Sequence, residues 1–307
     1  MKFTHLSSKW FRGAAIVVGA MALALAAAPR CHADDAGASG GYSILSSIQD
    51  YFADWFVRSD AAKAEQPHWI TPLVTVTPRL EQEFRYDQLF EAMHQGESTI
   101  NFGGGKGLEL IPWDRVEVIL GVPPYYANEA QGKAGIAGRG SDGFGDWAAL
   151  VKCRLLSANE ENGNYILSLF MGFSAPSGTV ANTEGHAQYT PTIAFGKGFG
   201  DFDFQSTVGV TLPDGGLARL GMPLAYNTAF QYHLFKVLWP EFEVNYTWYP
   251  NGEHTGKNQV FLTPGVVIGR LPLFGRLAAV FGAGMQVAVT KWAHYNNEWI
   301  LSARLPF

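Results

Sequence analysis

The sequence predicts an all-β fold: a transmembrane, antiparallel up-and-down β-barrel of about twelve strands, with a short amphipathic helix before it. Three observations predict it. The final residues alternate, with Trp299, Leu301, Ala303, Leu305 and Phe307 on one face of a strand and Ser302 and Arg304 on the other. The same period-two pattern recurs along the chain. The connectors between alternating segments are by turns short and long, as in spanning barrels.

From the amino terminus, Lys2, Lys9 and Arg12 precede an apolar run from Gly13 to Ala28 that is short for a spanning helix. Cys31-His32-Ala33 places a small residue before Asp34, so a signal peptide is expected over 1–33. A flexible Gly/Ala/Ser-rich stretch, Asp34 to Gly41, follows. Within Ser43 to Val57, residues Ile44, Leu45, Ile48, Tyr51, Phe52, Trp55 and Phe56 recur at helical spacing, with Asp50 and Asp54 off that stripe. The expected layout is thus a signal peptide (1–33), a flexible segment with an amphipathic helix (34–66), and a barrel (67–307).

Composition narrows the function classes. Residues 1–33 hold Lys2, Lys9, Arg12 and Arg30 and no acidic side chain; the 22 Lys and Arg of the chain less these four leave 18 against 27 Asp and Glu. An acidic balance of this size gives no basic patch for nucleic acid. Only Cys153 remains after processing, so no intramolecular disulfide is expected. No apolar run after Ala33 approaches helical spanning length, so a membrane crossing has to be made by strands.

Alternation places the strands near 72–86, 99–111, 115–123, 144–156, 164–175, 188–197, 201–213, 224–235, 240–250, 258–270, 277–290 and 297–307. In one of them Phe242, Val244, Tyr246 and Trp248 oppose Glu241, Glu243, Asn245 and Thr247; in another Val76, Leu80, Phe84 and Tyr86 oppose Arg79, Glu81, Glu83 and Arg85. An arginine or lysine facing lipid at mid-depth costs about 2–4 kcal/mol. The charged parity is therefore expected to line the lumen: Arg79, Glu81, Glu83, Arg85, Glu109, Arg115, Glu117, Lys152, Arg154, Asp203, Gln205, Glu241, Glu243 and Arg304. Both signs occur, which suits either a weakly selective aqueous path or a network of ion pairs filling a narrow lumen.

The terminal pattern, closing on Trp299, Leu301, Leu305 and Phe307, resembles the last strand of bacterial outer-membrane barrels, which their assembly machinery reads. Two internal motifs carry a further resemblance. Gly143-Phe144-Gly145-Asp146-Trp147, followed by Val151-Lys152-Cys153-Arg154-Leu155-Leu156, is similar to a Gly-Leu-Gly-Asp entry into a strand ending in Lys-Tyr-Arg. Phe173-Ser174-Ala175-Pro176-Ser177-Gly178-Thr179 is similar to the Pro-Ser/Thr-Gly loop after it. Together they resemble the outer-membrane transporter-like family associated with the meta-pathway of phenol degradation, with Cys153 in place of an aromatic. The resemblance implies a porin-like channel in the outer membrane of a Gram-negative-type bacterium, passing small molecules, with hydrophobic or aromatic compounds among them. The partners implied are outer-membrane lipids, the barrel-assembly machinery and the solute.

An outer-membrane enzyme, lipase- or protease-like, and a structural barrel with a plugged lumen are the alternatives. His233 falls near the terminus-bearing end of its strand, away from the outer rim where such enzymes act. His94, His186, His254 and His294 fall in predicted outer loops with Glu91, Glu184 and Glu253 nearby, yet no pair has ligand spacing on one element. Gly103-Gly104-Gly105-Lys106-Gly107 lacks the Gly-Lys-Ser/Thr ending of a phosphate loop. No catalytic residue, metal or other cofactor is expected.

Overall fold

A computed structural model describes residues 44–93, 97–129 and 142–307, with side chains from Gln49 onward. The expected signal peptide, the segment Asp34 to Gly41 and His94 lie outside the described residues. The single helix expected over 43–57 is two helices. Helix α1, Ile44–Ala53, falls mostly in one compact unit, and α2, Trp55–Ala64, belongs to a second unit spanning Ala53–Phe307.

The second unit is a closed antiparallel barrel with twelve wall strands. Strand β1 (Glu83–Ala92) closes the ring against β16 (Asn297–Pro306), from Glu83 opposite Pro306 to Ala92 opposite Asn297. Three wall strands are interrupted. They are β2 and β3 (Ser98–Gly103, Gly107–Trp113), β4 and β5 (Val116–Gly121, Tyr125–Glu129), and β6 and β7 (Gly143–Phe144, Trp147–Ala158). The gaps lie side by side: Val122 N–H donates to Lys106 O at 2.9 Å, and Gly145 N–H to Pro124 O at 2.7 Å. Pro123 and Pro124 have no N–H for a ladder, and Gly103, Gly104 and Gly105 turn with φ of +91°, +57° and +69°.

The rest of the ring is continuous: β8 (Tyr165–Ala175), β9 (Gln188–Phe199), β10 (Phe202–Val210), β12 (Leu224–Tyr232), β13 (Leu238–Trp248), β14 (Asn258–Phe274) and β15 (Leu277–Ala288). A two-residue β11 (Leu212–Pro213) pairs with β9, and a single turn of helix, α3 (Leu217–Leu220), lies between β11 and β12. Side chains alternate as the sequence predicts. On β13, Glu241, Glu243 and Asn245 are buried while Phe242 and Trp248 are 41% and 42% exposed. Exposed Phe84, Phe90, Leu169, Ile193, Phe230, Phe281 and Trp299 continue that apolar exterior around the ring.

The expected first strand, 72–86, needs correction. The wall begins at Glu83, and the predicted loop residues 87–92 belong to β1. Residues 66–82 carry no regular secondary structure and are buried at almost every position, whatever their parity. The Val-Thr alternation of 74–77 imitates a strand. Pro67, Pro72 and Pro78 remove the donors a ladder would need.

Candidate functional site: a lumen closed by an inner loop

Residues 66–82 form a loop folded into the barrel. Gln66 clasps its ends: Nε2 donates to Leu80 O and Leu80 N–H donates to Oε1, both at 2.8 Å. Arg79 braces it from within, reaching Pro67 O and Trp69 O and pairing with Glu81 at 2.7 Å. Arg79 and Glu81, expected on a wall strand, thus belong to the loop.

A structureless segment buried in a lumen has to satisfy its backbone polar groups by other means. The wall supplies the partners as side chains. Glu241 accepts from Leu73 N–H at 3.1 Å, and Glu243 accepts from Val74 and Thr75 N–H at 2.7 and 2.6 Å. Glu117 accepts from Glu81 N–H at 2.6 Å. Lys152 donates to Arg79 O at 3.2 Å and Ser168 to Pro78 O at 2.7 Å. Gln205 donates to Ile70 O at 2.9 Å and accepts from Thr77 Oγ1 at 2.7 Å. Arg304 reaches Thr71 O and Pro72 O, Arg85 reaches Leu73 O, and Arg270 holds His68 O and Trp69 O. The bonds made by Glu117, Lys152, Glu241, Glu243, Arg85, Arg270 and Arg304 are charge-assisted, stronger than the neutral ones of Ser168 and Gln205.

Apolar contacts complete the seating. Leu73 fits where Gly265, Gly282 and Gly284 leave the wall bare; a Cβ on any of the three would come 2.6 Å from its methyl groups. Trp69 lies on Gly196 and Gly198, and Ile70 on Gly269. Leu73 and Ile70 join Trp239, Val267, Val280 and Ile300 in one buried cluster. At the Phe307 end, α2 packs Ala62 against Leu80 and Ile111, and Trp55 Nε1 donates to Gln82 Oε1 at 2.8 Å. There Arg154 reaches Ala62 O and pairs with Glu65 at 2.8 Å, while Asp60 pairs with Arg276.

The remaining expected lumen residues divide as follows. Glu83, Arg85, Glu109, Glu117, Lys152, Arg154, Asp203, Gln205, Glu241, Glu243 and Arg304 lie on the buried parity of wall strands. Arg115 does not: it sits exposed in the β3–β4 turn, because the wall ends at Trp113 and resumes at Val116. Beyond the loop the lumen carries amides and hydroxyls on β12 to β15 and the carboxylate of Glu298, buried on β16 opposite Gln286 and Glu91. Asn245 bonds Asn227 at 3.2 Å, Thr263 at 3.3 Å and Gln286 at 2.9 Å.

Sequence reasoning missed the loop and the glycine hollows that receive it. Two signals were present: two prolines, Pro72 and Pro78, in an apparent strand, and glycines two apart on an inward parity at 196 and 198 and at 282 and 284. It also missed a cluster at the far rim. Tyr249, His254, Trp292 and His294 have ring centroids 4.7–6.0 Å apart, and Tyr249 OH lies 2.9 Å from His294 Nε2. Among the described residues no group of three or more His, Cys, Asp or Glu is placed to hold a metal. His233 stacks on Trp239 at 4.2 Å near the Phe307 end.

The two quoted motifs meet in space. Asp146 accepts from Gly178 and Glu184 N–H, each at 2.9 Å, Ser177 Oγ accepts from Trp147 N–H at 2.9 Å, and Trp147 packs edge-on against Phe173. A Cβ at Gly178 would come 2.8 Å from Asn182 O and 2.9 Å from Phe144 O, so that approach needs glycine.

An apolar exterior, a polar interior and a ring without free edges define a transmembrane β-barrel, here with an internal stopper. Among solved structures it is similar to the COG4313 outer membrane channel from Pseudomonas putida F1, at 14% identity over 78% of this chain and 100% of that one, with a TM-score of 0.50. Two further matches are the NanC porin (8% identity, 74% and 98% covered, TM-score 0.44) and the KdgM porin (7%, 73% and 99%, 0.39). No family model and no curated protein matches the sequence.

Proposed function

We propose that this chain is an outer-membrane channel for passive passage of small molecules, and that residues 66–82 are its closed gate. One observation carries the reading: the wall's charged side chains hold the backbone of a segment that forms no part of the wall. Side-chain bonds of this kind can exchange for water without breaking any strand pairing, so the loop can leave an intact barrel. The loop's exit would expose Glu117, Lys152, Glu241, Glu243 and Arg304 to a mixed-charge aqueous path. The resemblance to the phenol meta-pathway family supports hydrophobic or aromatic compounds as solutes. The exposed belt supports outer-membrane lipid as its surroundings, and Trp299, Leu301, Leu305 and Phe307 are the residues we assign to recognition by the assembly machinery.

The seating of Leu73 and Trp69 on bare glycines favours a second reading, a permanently filled structural barrel. Planar-bilayer conductance separates the two. A protein lacking 67–81 should conduct steadily. A Thr77→Cys/Gln205→Cys protein in a Cys153→Ala background should conduct in bursts when reduced and fall silent when cross-linked. Silence of the loop deletion, with the barrel folded, would reject the channel. Silence of the reduced double mutant beside a conducting deletion would mark the loop as a fixed plug.

A further inference from the structure

Near the end of β7 the pairing with β8 shifts register between Arg154 and Leu156. The extra residue breaks the in–out alternation, so Leu155 and Leu156 are both exposed, at 36% and 57%. A bulge re-aims the end of its strand. Here a cavity of about 450 Å³ lies between that end, the β7–β8 turn and the last residues of α2.

The lining is of two kinds. Leu155, Leu156 and Tyr165 continue the apolar belt to its edge. Arg115 and the Arg154–Glu65 ion pair bring charges of both signs. Arg115 makes one long hydrogen bond, 3.5 Å to Leu155 O, and no ion pair among the described residues. The Glu65 side chain is 65% exposed and gives Oε2 to Arg154 at 2.8 Å, which leaves Oε1 for another donor. Trp113, 59% exposed beside Arg115 in sequence, suits the level where belt meets headgroups.

We propose that this cavity binds a zwitterionic phospholipid headgroup of the phosphoethanolamine kind, from the leaflet at the Phe307 end. Arg115 takes the phosphodiester, for which a guanidinium fork is matched in geometry and charge. Glu65 takes the ammonium. Leu155, Leu156 and Tyr165 lie against the first carbons of the acyl chains. A headgroup without an ammonium would leave Glu65 Oε1 with no donor, and a choline headgroup has no N–H to donate to it. The inference rests on the barrel spanning a bilayer and not on conduction through the lumen.

The test is retention of phospholipid by the purified full chain in mild detergent, read by native mass spectrometry with ethanolamine, choline and glycerol headgroups on matched acyl chains. The ethanolamine lipid should be retained about fivefold over the other two. Arg115→Gln should remove that retention, and Arg115→Lys should restore part of it. Glu65→Gln, or Glu65→Asp if the amide variant fails to fold, should bring ethanolamine lipid down to the choline level and leave the choline lipid unchanged. Heat-modifiable gel mobility confirms folding of each variant. Equal retention of the three lipids, or variants that match wild type, would overturn the proposal. Displacement of the lipid by millimolar inorganic phosphate would overturn it as well, by showing a site for the free anion.

Discussion

Lys152 and Glu117 stand directly opposite one another on β7 and β4 and pair at 2.9 Å, each fully buried. Each also grips the inner loop, Lys152 at Arg79 O and Glu117 at Glu81 N–H. One ion pair thus joins two wall strands to two alternate residues of the inner loop.

Removing one member leaves the other charged, buried and unpaired, which costs about 3–5 kcal/mol. Lys152→Ala should therefore lower stability by that amount in denaturant unfolding from micelles. Adding Glu117→Ala should cost less than the two single losses summed. Strict additivity in this cycle would show that the pair acts as two independent charges.

Glu241→Gln/Glu243→Gln takes the charge from the bonds to Leu73, Val74 and Thr75 N–H and leaves residue 243 one acceptor oxygen where Val74 and Thr75 use two. Bilayer recordings should show a raised open probability before any change of ion preference is measurable. Neutralising Lys152 and Arg154 should shift the reversal potential the other way from any shift the glutamates give, because wall charges set the field in a confined path. Unchanged conductance in both double mutants, with folded barrels, would contradict a loop held by these side chains.

Gly196→Ala would bring a Cβ to 2.6 Å from the Trp69 ring and 2.9 Å from Phe204 O. A rigid ring and a backbone carbonyl cannot both yield cheaply. The expected result is faster proteolysis between residues 66 and 82 in detergent, with heat-modifiable mobility retained. Wild-type cleavage rates would show that Trp69 has room to move.

The Arg276 guanidinium bonded to Asp60 holds that carboxyl below its ordinary value of 3.8, against the opposing effect of burial. A carboxylate depressed on folding stabilises above its unfolded pKa, and the gain fades as pH falls through the folded value. Docking of α2 should therefore loosen below about pH 4. Trp55 fluorescence should report it, since that ring is tied to Gln82. Asp60→Asn should remove this pH step; a step of equal size in the variant would assign it to another group.

Deletion of Phe307 tests the terminal strand. Its N–H donates to Gln82 O at 3.1 Å and its O accepts from Lys63 Nζ at 3.2 Å. The truncated chain should insert poorly and accumulate as protease-sensitive material. Normal insertion would remove Phe307 from the assembly signal.

The wall was legible because one force acts on every spanning strand: lipid on one face and polar surroundings on the other leave a period-two record, as Glu241 to Trp248 show. The inner loop answers to no such rule. Val74-Thr75-Val76-Thr77 alternates, but Thr75 and Thr77 contact wall side chains and Val74 packs on the Leu73 cluster, so both parities are enclosed. Arg79 and Glu81 were misread with it. Arg115 was misplaced because the sequence pattern does not fix where a strand gives way to its turn. The rim cluster of Tyr249, His254, Trp292 and His294 unites residues from two separate loops, a proximity that only the β13–β14 and β15–β16 hairpins create.

The inner loop and its receptacle are one polypeptide. The loop ends at Gln82, and the first wall strand starts at the next residue. Closure is therefore an intramolecular association with an effective concentration set by that zero-length leash, independent of how much protein the membrane holds. Dilution, washing or a competing peptide in free solution has little leverage on it. Under the gating proposal, opening has to act on the differential stability of the seated and unseated loop within one molecule, and single-channel opening frequency per molecule should not change with protein density.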